Sequence, residues 1–155
     1  MEIERKFLVE GDSWKAEVQS VSKIAQFYLT GLDQSPTVRL RLEDGKGILA
    51  LKYPSISDQV LARDEFEYPV PAADIEAQRR RATGAVIEKK RHRVMGPDRK
   101  IWEVDVFSSP IDTLVLAEIE LDDINEDFVR PDWLGEEVTQ DPSYSNLSLS
   151  FSFSS

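Results

Sequence analysis

Charged side chains recur at every second position in segments that otherwise read as β-strand: Glu2, Glu4 and Lys6 in MEIERKFLV, Arg39 and Arg41 in VRLRL, Glu65 and Glu67 in DEFEY, Glu103 and Asp105 in WEVDVF, and Glu118 and Glu120 in LAEIEL. Successive residues of a strand point to opposite faces, so each charged set shares one face. Ile3, Phe7, Val38, Leu40, Trp102, Val104, Ile119 and Leu121 fall on the other. The chain therefore encodes a sheet with one apolar face and one densely ionic face. Its fold depends on where the ionic face goes.

Strand-like segments run over roughly 2–9, 23–29, 37–43, 47–53, 63–70, 86–94, 100–107 and 115–121, with turn signals at Asp44-Gly45, Gly96-Pro97-Asp98 and Ser108-Ser109-Pro110. This close spacing reads as antiparallel sheet. A helix is expected from Pro71 to about Thr83, with Gly84 as its stop, lying on a flank of the sheet. A second helix is expected from Asp122 or Asp123, packing Ile124 and Phe128 and ending before Pro131. A short helical turn fits around Trp14, and Tyr53 to Leu61 reads as a loop. In the serine-rich end, Tyr144, Leu147, Leu149, Phe151 and Phe153 are available for partial docking, while Ser154 and Ser155 are expected to fray. Without a repeat or a dividing linker, residues 1–155 read as a single domain.

An open sheet with its charged face in water is the ordinary arrangement. Two helices cannot cover the apolar face of so many strands, and the charged face holds arginine and glutamate at consecutive positions instead of the usual threonine and serine. Closing the sheet removes its edges and turns the ionic face into a lined interior. The fold expectation is predominantly β, of the α+β class: an eight-stranded antiparallel closed barrel forming a tunnel, with flanking helices. Its lumen would gather Lys6, Arg39, Arg41, Lys52, Arg63, Lys89, Arg91 and Arg93 with Glu2, Glu4, Glu65, Glu67, Glu103, Asp105, Glu118 and Glu120; Gln26 and Tyr28 share that parity. Burying such groups dry would cost several kcal/mol per ion, so the lumen is expected to hold water or ions.

The 155 residues carry a formal net charge of −10, no cysteine and one histidine. That balance argues against a nucleic-acid binder, but a concave site can focus its own field against the overall sign. Thiolate chemistry is excluded, no apolar run suggests a membrane span, and no signal peptide precedes the first strand, so a cytoplasmic protein is expected. Converging arginines and lysines suit a small polyanion, since guanidinium binds phosphate through two parallel hydrogen bonds. Carboxylates in the same cavity would repel that polyanion unless Mg²⁺ or Mn²⁺ bridged them. The chemistry these groups support is phosphoanhydride hydrolysis.

The motifs EIERKFLV, QFYL, VRLRL, LKY, RDEFEY, IEKKR, WEVDVF, LAEIEL and WLGEEVTQDPSYSN, in that order, resemble the CYTH superfamily, the triphosphate tunnel metalloenzymes. The resemblance implies a tunnel that binds a triphosphate, with Glu2, Glu4, Glu118 and Glu120 at the principal metal site and Asp105 and Glu67 nearby. It implies that Lys6, Arg39, Arg41, Lys52 and Arg91 contact the triphosphate; Arg63, inward by parity, joins them. Lys89 resembles a lysine that assists hydrolysis, with Tyr28 placed to tune it. The compact length looks most like the short bacterial inorganic triphosphatases, which cleave tripolyphosphate to pyrophosphate and phosphate. Related activities are class IV adenylate cyclase, thiamine triphosphatase and nucleoside triphosphatase; a non-enzymatic phosphate-binding module is the alternative outside catalysis. The expected partner is a small triphosphate, with neither nucleic acid nor membrane, and a homodimer is an allowed assembly.

Two departures from the family pattern stand out: Phe27 precedes Tyr28 where glycine is common, and Pro142-Ser143-Tyr144 replaces a basic-aromatic group. His92 shares its parity with Lys90 and is expected on the outer face. Trp14, Trp102 and Trp133 are expected to pack the barrel, and Arg79-Arg80-Arg81 reads as a solvated helix end.

Overall fold

The computed structural model describes residues 1–152; the expectations for Phe153, Ser154 and Ser155 lie outside the described residues. Ten strands follow in chain order: β1 (Glu2–Val9), β2 (Val18–Tyr28), β3 (Thr37–Glu43), β4 (Lys46–Lys52), β5 (Leu61–Arg63), β6 (Glu65–Val70), β7 (Ile87–Met95), β8 (Ile101–Ser109), β9 (Val115–Leu121) and β10 (Leu134–Glu137). Two short helices, α1 (Ala72–Gln78) and α2 (Asn146–Ser152), and single 3₁₀ turns, one of them at Ser13–Glu17 around Trp14, complete the chain.

Every pairing is antiparallel, in the order β10-β1-β9-β8-β7-β2-β3-β4-β6, and the ring closes because β5 returns to pair with β1. Only Asp64 separates β5 from β6, so the segment expected as one strand is a single stave that changes partner midway. The expected eight segments are all strands. The count rises to ten through this break and through β10, a four-residue strand on the far end of β1.

Closure puts the ionic face inside and the apolar face outside, so the hydrophobic core wraps around the barrel. Trp102, Phe7, Val104 and Ile119 pack under Trp14, Trp133 and Phe128. Trp102 meets Phe7, Phe128 and Trp133 edge to face at 5.3 to 5.6 Å between ring centroids, a favoured aromatic geometry. α1 lies on the barrel flank as expected, burying Ile75 against Phe27 and Leu40, a contact worth about 1.5–3 kcal/mol. His92 sits outside the lumen, its ring 4.9 Å from that of Trp14 and its Nδ1 3.2 Å from the Val104 carbonyl.

The helix expected from Asp122 to Pro131 does not form. Asp123 Oδ1 accepts from the Asn125 N–H at 2.8 Å and Glu126 Oε1 from the Asp122 N–H at 2.7 Å, so acidic side chains capture the amides that a helix would leave to be extended. Phe128 is used instead to cover Trp102. Gly84 also has a different role: α1 ends before it, and a Cβ there would lie 2.7 Å from the Ser150 carbonyl oxygen. Its missing side chain lets α2 reach the barrel.

Candidate active site

Alternation on eight staves brings polar and charged side chains of the lumen into register, some pairs opposite in charge and some alike. Lys6 stands opposite Glu118 and Glu4 opposite Glu120 across β1 and β9; Gln26 and Tyr28 face Arg41 and Arg39 across β2 and β3; Lys52 faces Glu65 across β4 and β6. The result is a cavity of about 260 Å³ lined by Glu2, Glu4, Lys6, Gln26, Tyr28, Arg39, Arg41, Lys52, Arg63, Glu65, Glu67, Lys89, Arg91, Glu103, Glu118 and Glu120, with Thr37. Ser145, Asn146 and Leu147 close it from the C-terminal segment. Thus every residue expected at the site lines the cavity except Asp105. That carboxylate is buried behind Lys89 and Arg91, taking two guanidinium hydrogen bonds at 2.9 Å and the Lys89 ammonium at 2.8 Å. Arg93 is displaced toward Glu43, at 3.1 Å, and does not line the cavity.

The other ion pairs are looser. Lys6–Glu118 spans 3.7 Å, Lys52–Glu65 3.7 Å, Lys52–Glu2 3.9 Å, Arg39–Glu65 3.4 Å and Arg63–Glu4 3.4 Å. With the carboxylates ionised, four buried lumen atoms have no hydrogen-bond partner among the described residues, Glu2 Oε1, Glu65 Oε2, Arg39 Nε and Arg63 Nε; a proton held on Glu2 lets it bond to Glu65. The two guanidinium donors are left over.

The titration behaviour has a two-sided character. Burial, a hydrogen bond with Glu65 and the nearby Glu4 push Glu2 up to about 8 against the pull of Lys52. Burial likewise raises Glu4, with Glu118 adding repulsion, and raises Glu103 against the pull of Arg91. Burial also lowers the bases: Lys52 to about 8 with Arg39 adding repulsion, Lys89 to about 7 against the pull of Asp105, and Arg41 to about 10 beside Arg39 and Arg91. Other lumen groups go the opposite way: burial opposes their charge, yet Lys6 and Arg91 hold Glu118 at about 2, a hydrogen bond with Glu2 and the nearby Lys52 and Arg39 lower Glu65, and Asp105 raises Arg91. Tyr28 is raised by burial and remains a neutral hydroxyl. Burial is what disfavours charge on these acids and bases alike, and a cation complexed to a polyanion would lend a counterion to each kind.

Among the described residues no three acidic or histidine side chains cluster as a ready-made metal cage. An ion of the Mg²⁺ type does not require such a cage, since it keeps waters and takes one or two carboxylates plus phosphate oxygens. Glu2, Glu4, Glu118 and Glu120, on adjoining β1 and β9, bring hard carboxylate oxygens of the kind such an ion takes into the lumen lining.

Sequence reasoning underweighted the neutral polar groups. Gln26 bridges Arg41 and Asn146, accepting from Arg41 Nε at 2.8 Å and donating to Asn146 Oδ1 at 3.1 Å. Lys89 donates to the same Asn146 oxygen at 3.0 Å, and no hydrogen bond joins it to Tyr28 among the described residues. Strand parity places Gln26 inside. Asn146 starts a helix beyond the last strand and has no periodic signal.

An antiparallel barrel whose lumen presents interleaved acids and bases, closed at one end by its own C-terminal segment, is a tunnel for a metal-complexed polyanion. The chain belongs to the CYTH domain family, whose domain spans residues 1–150. It is 40% identical over 149 residues to an inorganic triphosphatase of Acetivibrio thermocellus, covering 96% of this chain and 92% of that protein. It is 35% identical over 153 residues to an inorganic triphosphatase of Nitrosomonas europaea, covering 97% of each. A crystal structure of an inorganic triphosphatase superposes with a TM-score of 0.69 at 33% identity, covering 97% of this chain and 94% of that one. No helix among the described residues is long and apolar enough to cross a membrane.

Proposed function

We infer that this protein is an inorganic triphosphatase, hydrolysing tripolyphosphate to pyrophosphate and orthophosphate with Mg²⁺ or Mn²⁺. The observation that carries this reading is a lumen of interleaved acids and bases in which buried guanidinium donors are left without hydrogen-bond partners, together with full-length similarity to inorganic triphosphatases. CYTH triphosphatases are metal-dependent in general. Residues 1–155 act as one such unit in this reading.

Lys6, Arg39, Arg41, Lys52, Arg63 and Arg91 would hold the phosphate chain. The long ion pairs of Lys6, Arg39 and Arg63 leave donors free, and arginine's fork engages two oxygens of one phosphoryl group. Glu2, Glu4, Glu118 and Glu120 would hold the metal, with Glu67 nearby; an ion bound there would neutralise phosphate charge and polarise the phosphoryl group. Asp105 acts from behind, fixing Lys89 and Arg91 with a carboxylate kept ionised well below the usual range by those two cations despite its burial. Lys89 is aimed at the lumen, where it stabilises charge developing on the transferred phosphoryl group, and neutral Tyr28 offers a hydroxyl beside Arg39. Water attacks one terminal phosphorus, the bridging P–O bond breaks, and pyrophosphate leaves with the bridging oxygen.

Among the described residues the lining holds one aromatic ring, Tyr28, and one large apolar side chain, Leu147, too little for a platform under a purine or thiazolium. The test is a panel of tripolyphosphate, pyrophosphate, ATP and thiamine triphosphate with Mg²⁺ or Mn²⁺, resolved by product. Pyrophosphate and orthophosphate in equal amounts from tripolyphosphate, with the other substrates slower, is the expected result. Cyclic AMP from ATP as the main product would replace this reading, and metal-dependent binding without turnover would make the protein a phosphate-ligand module.

A further inference from the structure

Two groups that can only donate bracket a short chain of amides at the closed end of the cavity. Arg41 Nε donates to Gln26 Oε1 at 2.8 Å, Gln26 Nε2 donates to Asn146 Oδ1 at 3.1 Å, and Lys89 Nζ donates to that oxygen at 3.0 Å. A guanidinium and an ammonium have no acceptor. They therefore dictate both amide orientations: Gln26 turns its oxygen to Arg41, and Asn146 turns its oxygen to Gln26 and Lys89. The Asn146 Nδ2 group is left on the other side of its amide, with no acceptor among the described residues, on a residue that lines the cavity.

Asn146 is also held in place. The preceding Tyr144 carbonyl accepts from Lys6 Nζ at 3.2 Å, and the Ser150 carbonyl accepts from the Ala85 N–H at 2.8 Å. Leu149 is buried against Ile87, Phe107 and Leu116. A side chain fixed by its oxygen and by its backbone on both sides presents its nitrogen with little ordering cost when a ligand arrives. A neutral donor suits this place, because burial already penalises charge on Lys89 and Arg41, and another cation would add to that penalty.

We propose that Asn146 is a substrate-binding residue, its Nδ2 donating to a non-bridging oxygen of the phosphoryl group held by Lys89 and Arg41. The proposal rests on the triphosphatase reading of the tunnel. It gives the C-terminal segment a direct part in substrate recognition in addition to closing the tunnel.

Asn146→Asp keeps an oxygen for Gln26 and Lys89 and replaces only the donor; Asn146→Ala removes the donor without adding charge. For each, KM and kcat for tripolyphosphate at saturating Mg²⁺, Kd for a non-hydrolysable tripolyphosphate analogue, and ligand-free melting would be measured. Loss of a hydrogen bond to a charged group predicts that Asn146→Ala raises KM and Kd about 10- to 100-fold. Asn146→Asp is expected to raise them further while melting no lower than wild type. A wild-type KM and Kd in the aspartate variant, or an alanine variant that melts early but binds the analogue normally, would overturn the proposal and leave the triphosphatase reading standing. A wild-type protein that neither binds nor cleaves tripolyphosphate would overturn both.

Discussion

Lys89 is 2% exposed, and its ammonium already meets Asp105 at 2.8 Å and Asn146 at 3.0 Å. An ammonium has three donors, so one remains for a phosphoryl oxygen. Lys89→Ala is expected to lower kcat by roughly 10²- to 10³-fold, the scale of losing one oxyanion donor, while raising Kd for tripolyphosphate far less. Steady-state kinetics beside calorimetric binding would check the split; equal losses in both would make Lys89 a general binding group. A second residue-scale consequence concerns pH. Glu2 rises from 4.5 to about 8 in the metal-free fold, so between those values the folded chain binds a proton that the unfolded chain has released. Stability contributed by this group is fully present below about 4.5 and is lost as pH rises toward about 8. In chelator, the stability difference between wild type and Glu2→Gln should fall by on the order of 2 kcal/mol between roughly pH 5 and 8, read from paired melting curves. A difference that stays flat with pH would contradict the burial and Glu65 contact given for Glu2.

At the scale of elements, the period-two alternation made the barrel legible because a strand's two faces meet such different surroundings. It placed Lys6, Arg39, Arg41, Arg91 and Glu118 in the lumen, and Trp102 and Val104 outside. It could not resolve what depends on local hydrogen bonding or on partners distant in sequence. The turn at Asp122–Glu126 looks helical by composition, but its own carboxylates bind its amides. β10 is too short to carry a pattern, and Asp105 has lumen parity yet is taken up by two neighbouring cations before it can reach the cavity. The C-terminal segment docks through Leu149 and Tyr144, two of the side chains the sequence makes available for it, but the helical form of α2 is not legible there, and its seat depends on the empty space at Gly84, where an added Cβ would approach Ser150 atoms to within 2.7–2.9 Å. Gly84→Ala should therefore displace α2, costing about 1–3 kcal/mol by overpacking and raising KM for tripolyphosphate as Asn146 moves with it. An alanine variant with wild-type melting and KM would show that this close approach is not needed.

For the whole molecule, a net charge of −10 surrounds a lumen where acids and bases are interleaved, so an incoming polyanion meets long-range repulsion before local attraction. The buried carboxylates intensify the repulsion inside the tunnel, where water screens least. A divalent cation weakens both effects, and tripolyphosphate and metal should therefore stabilise the fold cooperatively. At a metal–tripolyphosphate concentration one hundred times Kd, mass action gives about 2.7 kcal/mol, which for a chain of this size raises Tm by roughly 5–11 °C. Tripolyphosphate in chelator, or Mg²⁺ alone, should each give a small part of that shift, and the two together should exceed the sum. The coupling must be reciprocal, so the apparent Kd for Mg²⁺ should tighten with tripolyphosphate by the same factor as the converse. Scanning calorimetry over a grid of the two ligands measures that factor. If tripolyphosphate gave the same shift in chelator as with metal, the lumen's own cations would suffice, and the carboxylates of β1 and β9 would need another explanation.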